Sequence, residues 1–144
     1  MPDIIKLLRI KDWAKNLFLF IPAFFAGKLF DLRNIELLAG GFMAFSFLAS
    51  SIYIINDYRD VEDDRKHPTK SKRPLASGKV KKSTGLIIAI LLFIAGTTLA
   101  YLLDDSGKFL FLLGIYYLLN LGYSFGLKNI SIVDIIIVSA GFVL

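Results

Sequence analysis

The sequence contains no cysteine, and that absence removes disulfide frameworks, thiolate metal centres and cysteine nucleophiles together. Histidine is nearly absent as well, with His67 the single one, so a metal site here has to be built mainly from hard oxygen ligands. Internal repeats and low-complexity tracts are missing. A cleavable signal peptide is not expected, because Lys6, Arg9, Lys11 and Lys15 interrupt the apolar residues early and no small-residue cleavage site follows. What is plentiful is apolar surface. The 144 residues are 56% hydrophobic with a net charge of +5, more apolar than a soluble domain of this size.

A helix that crosses a hydrocarbon core of about 30 Å needs roughly 20 mostly apolar residues. Residues 37–55, 85–103 and 109–127 form three such runs of 19 residues each. A shorter one, 16–26, reaches full length by extending back through Trp13 and Ala14 with Lys15 snorkelling to the interface. A fifth begins at Ile130 and is still apolar at Leu144, so the sequence reads as the front part of a longer chain. The expectation is one all-α membrane domain over 1–144 with four to five spans. Of 17 Lys and Arg residues, 14 lie in the N-terminal arm, in 56–84 or at Lys128, and only Lys28, Arg33 and Lys108 lie on the other side. The basic side is expected to be cytoplasmic, in the cell membrane, with the N-terminus on that side.

Where the run 37–55 ends, the chain reads Asn56-Asp57-Tyr58-Arg59-Asp60-Val61-Glu62-Asp63-Asp64. On a continuous helix Asp57, Asp60 and Asp64 fall within an arc of about 60°, with Asn56 at one margin and Glu62 nearly opposite. Like charges on one face oppose each other and the negative end of the helix dipole. A divalent cation compensates them, and Mg²⁺ bridges carboxylates to substrate phosphates, which would let a carbon–diphosphate bond ionise. The bland alternative is a solvated acidic helix end.

Residues 65–79 are rich in cations and turn formers, and Pro68, Pro74 and Gly78 argue against one continuous helix. Such a loop suits an anionic substrate, yet positive-inside bias and contact with anionic lipid produce the same composition. His67 reads as a hydrogen-bonding or solvent-facing residue before a general base. Asp104 and Asp105 read as turn residues beside Ser106-Gly107. Asp134, one turn into the last apolar run, is a functional candidate or a partner for Lys128.

These motifs resemble the UbiA-type membrane prenyltransferase superfamily. Asn56-Asp57-x-x-Asp60-x-x-x-Asp64 is similar to its first aspartate-rich motif. Arg9-x-x-x-Trp13-x-Lys15-Asn16, Asp64-Arg65-x-His67-Pro68-Thr69-Lys70-x-x-Arg73-Pro74 and Tyr123-Ser124-x-x-Leu127-Lys128 resemble the decaprenyl-phosphate phosphoribosyltransferase branch. The resemblance implies a nine-helix bundle around a cavity open to cytoplasm and lipid, of which about half is present. It implies 5-phosphoribosyl diphosphate as donor and a polyprenyl phosphate as acceptor, giving a cell-wall arabinose precursor. By the same likeness Asp57, Asp60 and Asp64, with Asn56, hold Mg²⁺ on the donor diphosphate, and Lys15, Lys70, Arg73, Tyr123 and Lys128 contact phosphate or ribose. The family's second acidic motif would lie beyond this sequence. Two other readings stay open: prenyl transfer to an aromatic acceptor for quinone or haem synthesis, and an inactive half-length homologue or scaffold. No nucleic-acid partner is expected.

Overall fold

A computed structural model describes residues 2–27 and 29–126, and all the regular structure among them is helical. The elements are α1 (Asp3–Leu8), a 3₁₀ helix (Ile10–Phe20), α2 (Ile21–Phe25), α3 (Leu32–Arg59), α4 (Val61–Lys66), a short 3₁₀ turn (Lys70–Lys72), α5 (Lys82–Leu103) and α6 (Lys108–Ser124). Two of these, α3 and α5, are long and apolar enough to cross a membrane. They contain the runs 37–55 and 85–103. The 17-residue α6 covers most of 109–127, while Lys128, Asp134 and the run from Ile130 lie outside the described residues.

The α3–α5 interface is built from small side chains. On α5 the buried residues are Gly85, Ala89, Gly96 and Ala100, whereas Ile87, Leu91, Ile94 and Leu102 are more than half exposed. A water-soluble helix would do the reverse, burying its large apolar side chains; small residues inward and large ones outward is how helices pack when the surroundings are hydrocarbon. The approach is close: a Cβ at Gly96 would lie 3.0 Å from the Ala44 carbonyl oxygen and 3.0 Å from Leu48 Cγ. Gly96→Val should therefore lower stability by about 1–3 kcal/mol through overpacking, read as an earlier midpoint of denaturant unfolding in detergent; an unchanged midpoint would mean the helices are not held this tightly. Polar pins add to the packing. Ser51 Oγ donates to the Ala89 carbonyl at 2.9 Å and lies 2.9 Å from Tyr117 Oη, which ties α3, α5 and α6 at one level.

The segment before α3 departs from the expected transmembrane helix over 16–26. It is an eleven-residue 3₁₀ helix followed by five residues of α2, closed at Gly27 with φ +67°. The physical reason is its register on α3. Trp13 Nε1 donates to Ser50 Oγ at 2.8 Å and Asn16 Nδ2 donates to Ser46 Oγ at 3.0 Å. Three residues of 3₁₀ helix rise about 6 Å, as do four residues of α-helix, so the tighter helix keeps its inward side chains in step with successive turns of α3. An α-helical segment would bring residues 13 and 16 only about 4.5 Å apart along the axis and lose one of the two bonds.

The turn between α5 and α6 matches its reading as a turn. Asp104 accepts from the Ser106 amide and hydroxyl and from the Phe109 amide. The Ser106 hydroxyl first, and then the Phe109 amide, hold its carboxyl below the usual carboxylate range.

Candidate functional site

The acidic segment sits at the basic end of the bundle, over an apolar cluster of Leu7, Ile54, Val61, Leu75, Val80 and Ala89. Its six members anchor five pieces: α1, the end of α3, α4, the loop after it (Leu75 and Val80) and the start of α5. Within this frame α3 ends at Arg59, and Asp60, at φ −88° and ψ 8°, joins it to α4. The expectation of one uninterrupted acidic stripe is thereby corrected. The chain bends at Asp60, where three like charges meet the negative end of the α3 dipole and continued helix is least favoured.

The bend leaves Asp57 and Asp64 facing the same cation. Both are 3% exposed. Arg73 Nη1 donates to Asp57 Oδ1 at 3.0 Å and to Asp64 Oδ2 at 2.8 Å. Arg9 Nη2 donates to the same Asp57 Oδ1 at 2.7 Å, and the Arg9 guanidinium lies 4.9 Å from the centre of the Tyr53 ring. Both arginines thus crowd one oxygen of Asp57. Among the described residues the arginine bonds reach Asp57 through Oδ1 and Asp64 through Oδ2. Two carboxylates brought together on one cationic point supply the hard oxygen donors that a divalent ion such as Mg²⁺ takes.

The loop that carries Arg73 is held by its own backbone. Ser77 N–H bonds to the Arg73 carbonyl and Val80 N–H to that of Pro74, while Leu75 is inserted into the apolar cluster. Arg65 Nε donates to the Ala76 carbonyl at 3.2 Å. His67 Nδ1 accepts from the Thr69 and Lys70 amides at 3.2 Å each, which makes it a loop cap.

Of the residues singled out in the sequence, the fold brings together Asp57, Asp64 and Arg73. Asp60 is half-buried at the bend and engaged in an interaction of its own; Asn56, one turn earlier, accepts the Asp60 amide through its carbonyl. Among the described residues no group of three His, Cys, Asp or Glu side chains stands in a metal-holding arrangement, so the expected trio is not assembled as a triad. Lys70 is exposed in the loop, and Tyr123 lies in the last turn of α6 with a partner of its own. Lys15 is exposed, 3.7 Å from Asp12, and its neighbours Trp13 and Asn16 fix it at the level of Ser46 and Ser50, roughly 10–16 Å along α3 from Asp57. Sequence reasoning gave Arg9 no role at the site. Its partner lies 48 residues away, and only its place in the segment with Trp13 and Asn16 signalled it.

Comparison with known proteins gives this geometry its context. Residues 17–144 match the UbiA prenyltransferase family. The decaprenyl-phosphate phosphoribosyltransferase of Corynebacterium glutamicum is 41% identical over 142 residues, covering 97% of this chain and 43% of the relative. The protein of the same name from Mycolicibacterium smegmatis is 37% identical, covering 98% of this chain and 45% of the relative. The protoheme IX farnesyltransferase of Metallosphaera sedula is 31% identical over 127 residues, covering 87% of this chain and 42% of the relative. The chain spans less than half the length of each of these relatives. With helices as the regular structure of the described residues, an acidic end to the first long one and a family match over most of its length, the chain belongs to the UbiA prenyltransferase family.

Proposed function

We propose that the protein serves the Mg²⁺-dependent transfer of a phosphoribosyl group from 5-phosphoribosyl diphosphate to a polyprenyl phosphate such as decaprenyl phosphate, at the cytoplasmic face of the cell membrane. The observation that carries this reading is the convergence of buried Asp57 and Asp64 on one cationic point. Asp57, Asp60 and Asp64, with Asn56, would hold the metal. Bound there, Mg²⁺ neutralises charge on a departing diphosphate.

The remaining work falls to side chains of this chain. Arg73 pairs with the two carboxylates from a loop that also carries the exposed Lys70 and Lys72, and this cluster of cations suits an anionic donor. A guanidinium grips phosphate by two parallel bonds, a lysine by charge alone. Lys70, Arg73, Tyr123 and Lys128, with Lys15 deeper along the first segment, are the proposed contacts to phosphate and ribose. The acceptor is a phosphate oxygen that is already ionised, so attack on the anomeric carbon needs no protein base, in keeping with a histidine engaged as a loop cap.

The relatives' names favour this donor and acceptor, and the charge of the loop favours a donor with an extra phosphate. The resemblance to a protoheme IX farnesyltransferase favours a second reading, prenyl transfer from a polyprenyl diphosphate to an aromatic acceptor, which would use the same aspartates. Membranes carrying the protein, supplied with radiolabelled 5-phosphoribosyl diphosphate and decaprenyl phosphate, should form a labelled lipid, and Asp60→Asn should reduce it at least tenfold. Label transfer that ignores the substitution removes the metal assignment. Prenylation of an aromatic acid in place of phosphoribosyl transfer selects the second reading.

A further inference from the structure

We propose that Arg9 is a positioning residue for the metal site, acting through Asp57 to turn the second oxygen of that carboxylate toward the incoming cation. The inference rests on the magnesium reading above and adds to it a residue from a distant part of the chain. Three observations point to it.

The first is the backbone. Arg9 is the one non-glycine residue with positive φ among the described residues, at φ 52° and ψ 43°. A left-handed conformation is unfavourable for a side chain with a Cβ, and it persists where the surroundings over-determine it. Here they do. On one side Leu7 is fully buried and the Leu8 carbonyl accepts from Ser50 Oγ at 2.6 Å; on the other the Asp12 amide bonds to the Arg9 carbonyl at 2.8 Å and Trp13 is pinned to Ser50. The left-handed residue is the corner between α1 and the 3₁₀ helix.

The second is the side chain. From that corner the guanidinium lies over the Tyr53 ring and reaches Asp57, one turn further along α3, at 2.7 Å. The ring contact restrains the guanidinium, and a planar donor restrains its acceptor more tightly than a flexible ammonium does. The third is a shared atom. Arg9 and Arg73 both donate to Asp57 Oδ1, and their two positive charges together balance the two carboxylates. Besides charge, Arg9 adds direction: with Oδ1 held from two sides, Oδ2 is the oxygen turned toward a ligand.

The sign of the effect on metal binding separates positioning from charge balance. Removing a cation next to a metal site should strengthen binding of a divalent ion if charge were all that mattered. A positioning role gives the opposite. Mn²⁺ would be titrated by electron paramagnetic resonance into the purified protein in nanodiscs with inorganic pyrophosphate present, comparing wild type, Arg9→Gln, Arg9→Lys and Trp13→Phe. Arg9→Gln should weaken Mn²⁺ binding about tenfold, the scale typical of losing a group that orients a metal ligand. Arg9→Lys, which keeps the charge without the planar guanidinium, should recover less than half of that loss. Trp13→Phe breaks the neighbouring pin without touching Asp57, so it reports loss of docking alone and should leave Mn²⁺ binding within about twofold of wild type. Tighter or unchanged binding in Arg9→Gln overturns the proposal, as does an equal loss in Trp13→Phe. Failure of the wild type itself to bind Mn²⁺ with pyrophosphate would instead sink the magnesium reading on which the proposal stands.

Discussion

Arg73→Ala is expected to lower stability by roughly 3 kcal/mol, the low end of the range for breaking a buried ion pair by removing one partner, because its side chain is 27% exposed. The loss comes from what stays behind. Asp57 and Asp64 would remain buried with their charges, and only Asp57 would keep an arginine. The pair Arg73→Met with Asp64→Asn should recover more than half of the loss, since it removes the orphaned charge together with its partner. Unfolding midpoints in detergent for the single and double variants measure this. An Arg73→Ala protein as stable as wild type would show that the loop is held by Leu75 and its backbone bonds alone.

The second large effect is on chemistry. Asp57→Asn and Asp64→Asn should each cut phosphoribosyl transfer by about 100-fold or more, because each removes a ligand charge and leaves Arg73 with a weaker acceptor. The same substitution at Glu62 should change the rate less than threefold. Glu62 is exposed and pairs with Arg65 at 3.1 Å and Lys82 at 3.6 Å on the far side of α4, where ion pairs contribute little. Rates measured over a range of Mg²⁺ concentrations would distinguish lost metal affinity from lost turnover.

How much of this was legible in the residues depends on the range of the contact involved. The apolar runs placed α3 and α5 because hydrocarbon thickness translates directly into helix length. Helical spacing brought Asp57 and Asp64 to one side because they are seven residues apart, close to two turns, and a bend at the middle residue preserves that relation. The bend itself was not visible, since it depends on how three carboxylates and a helix end repel each other in a particular setting. Nor was the 3₁₀ form of Ile10–Phe20, which only the spacing of Ser46 and Ser50 on another helix explains. Lys15 was grouped with the phosphate contacts by its motif, while the register of its neighbours sets it well along α3 from the aspartates. Arg9 shows the same limit from the other side: a contact across 48 residues leaves no periodic trace in the sequence.

The most direct test is whether the aspartates and a diphosphate share one metal ion. Mn²⁺ bound to the protein with pyrophosphate, examined by electron–nuclear double resonance, should show phosphorus coupling of a directly coordinated phosphate, and Asp57→Asn with Asp64→Asn should abolish the bound signal. A phosphorus-coupled signal of full strength in that double variant would mean that the metal and its diphosphate sit elsewhere.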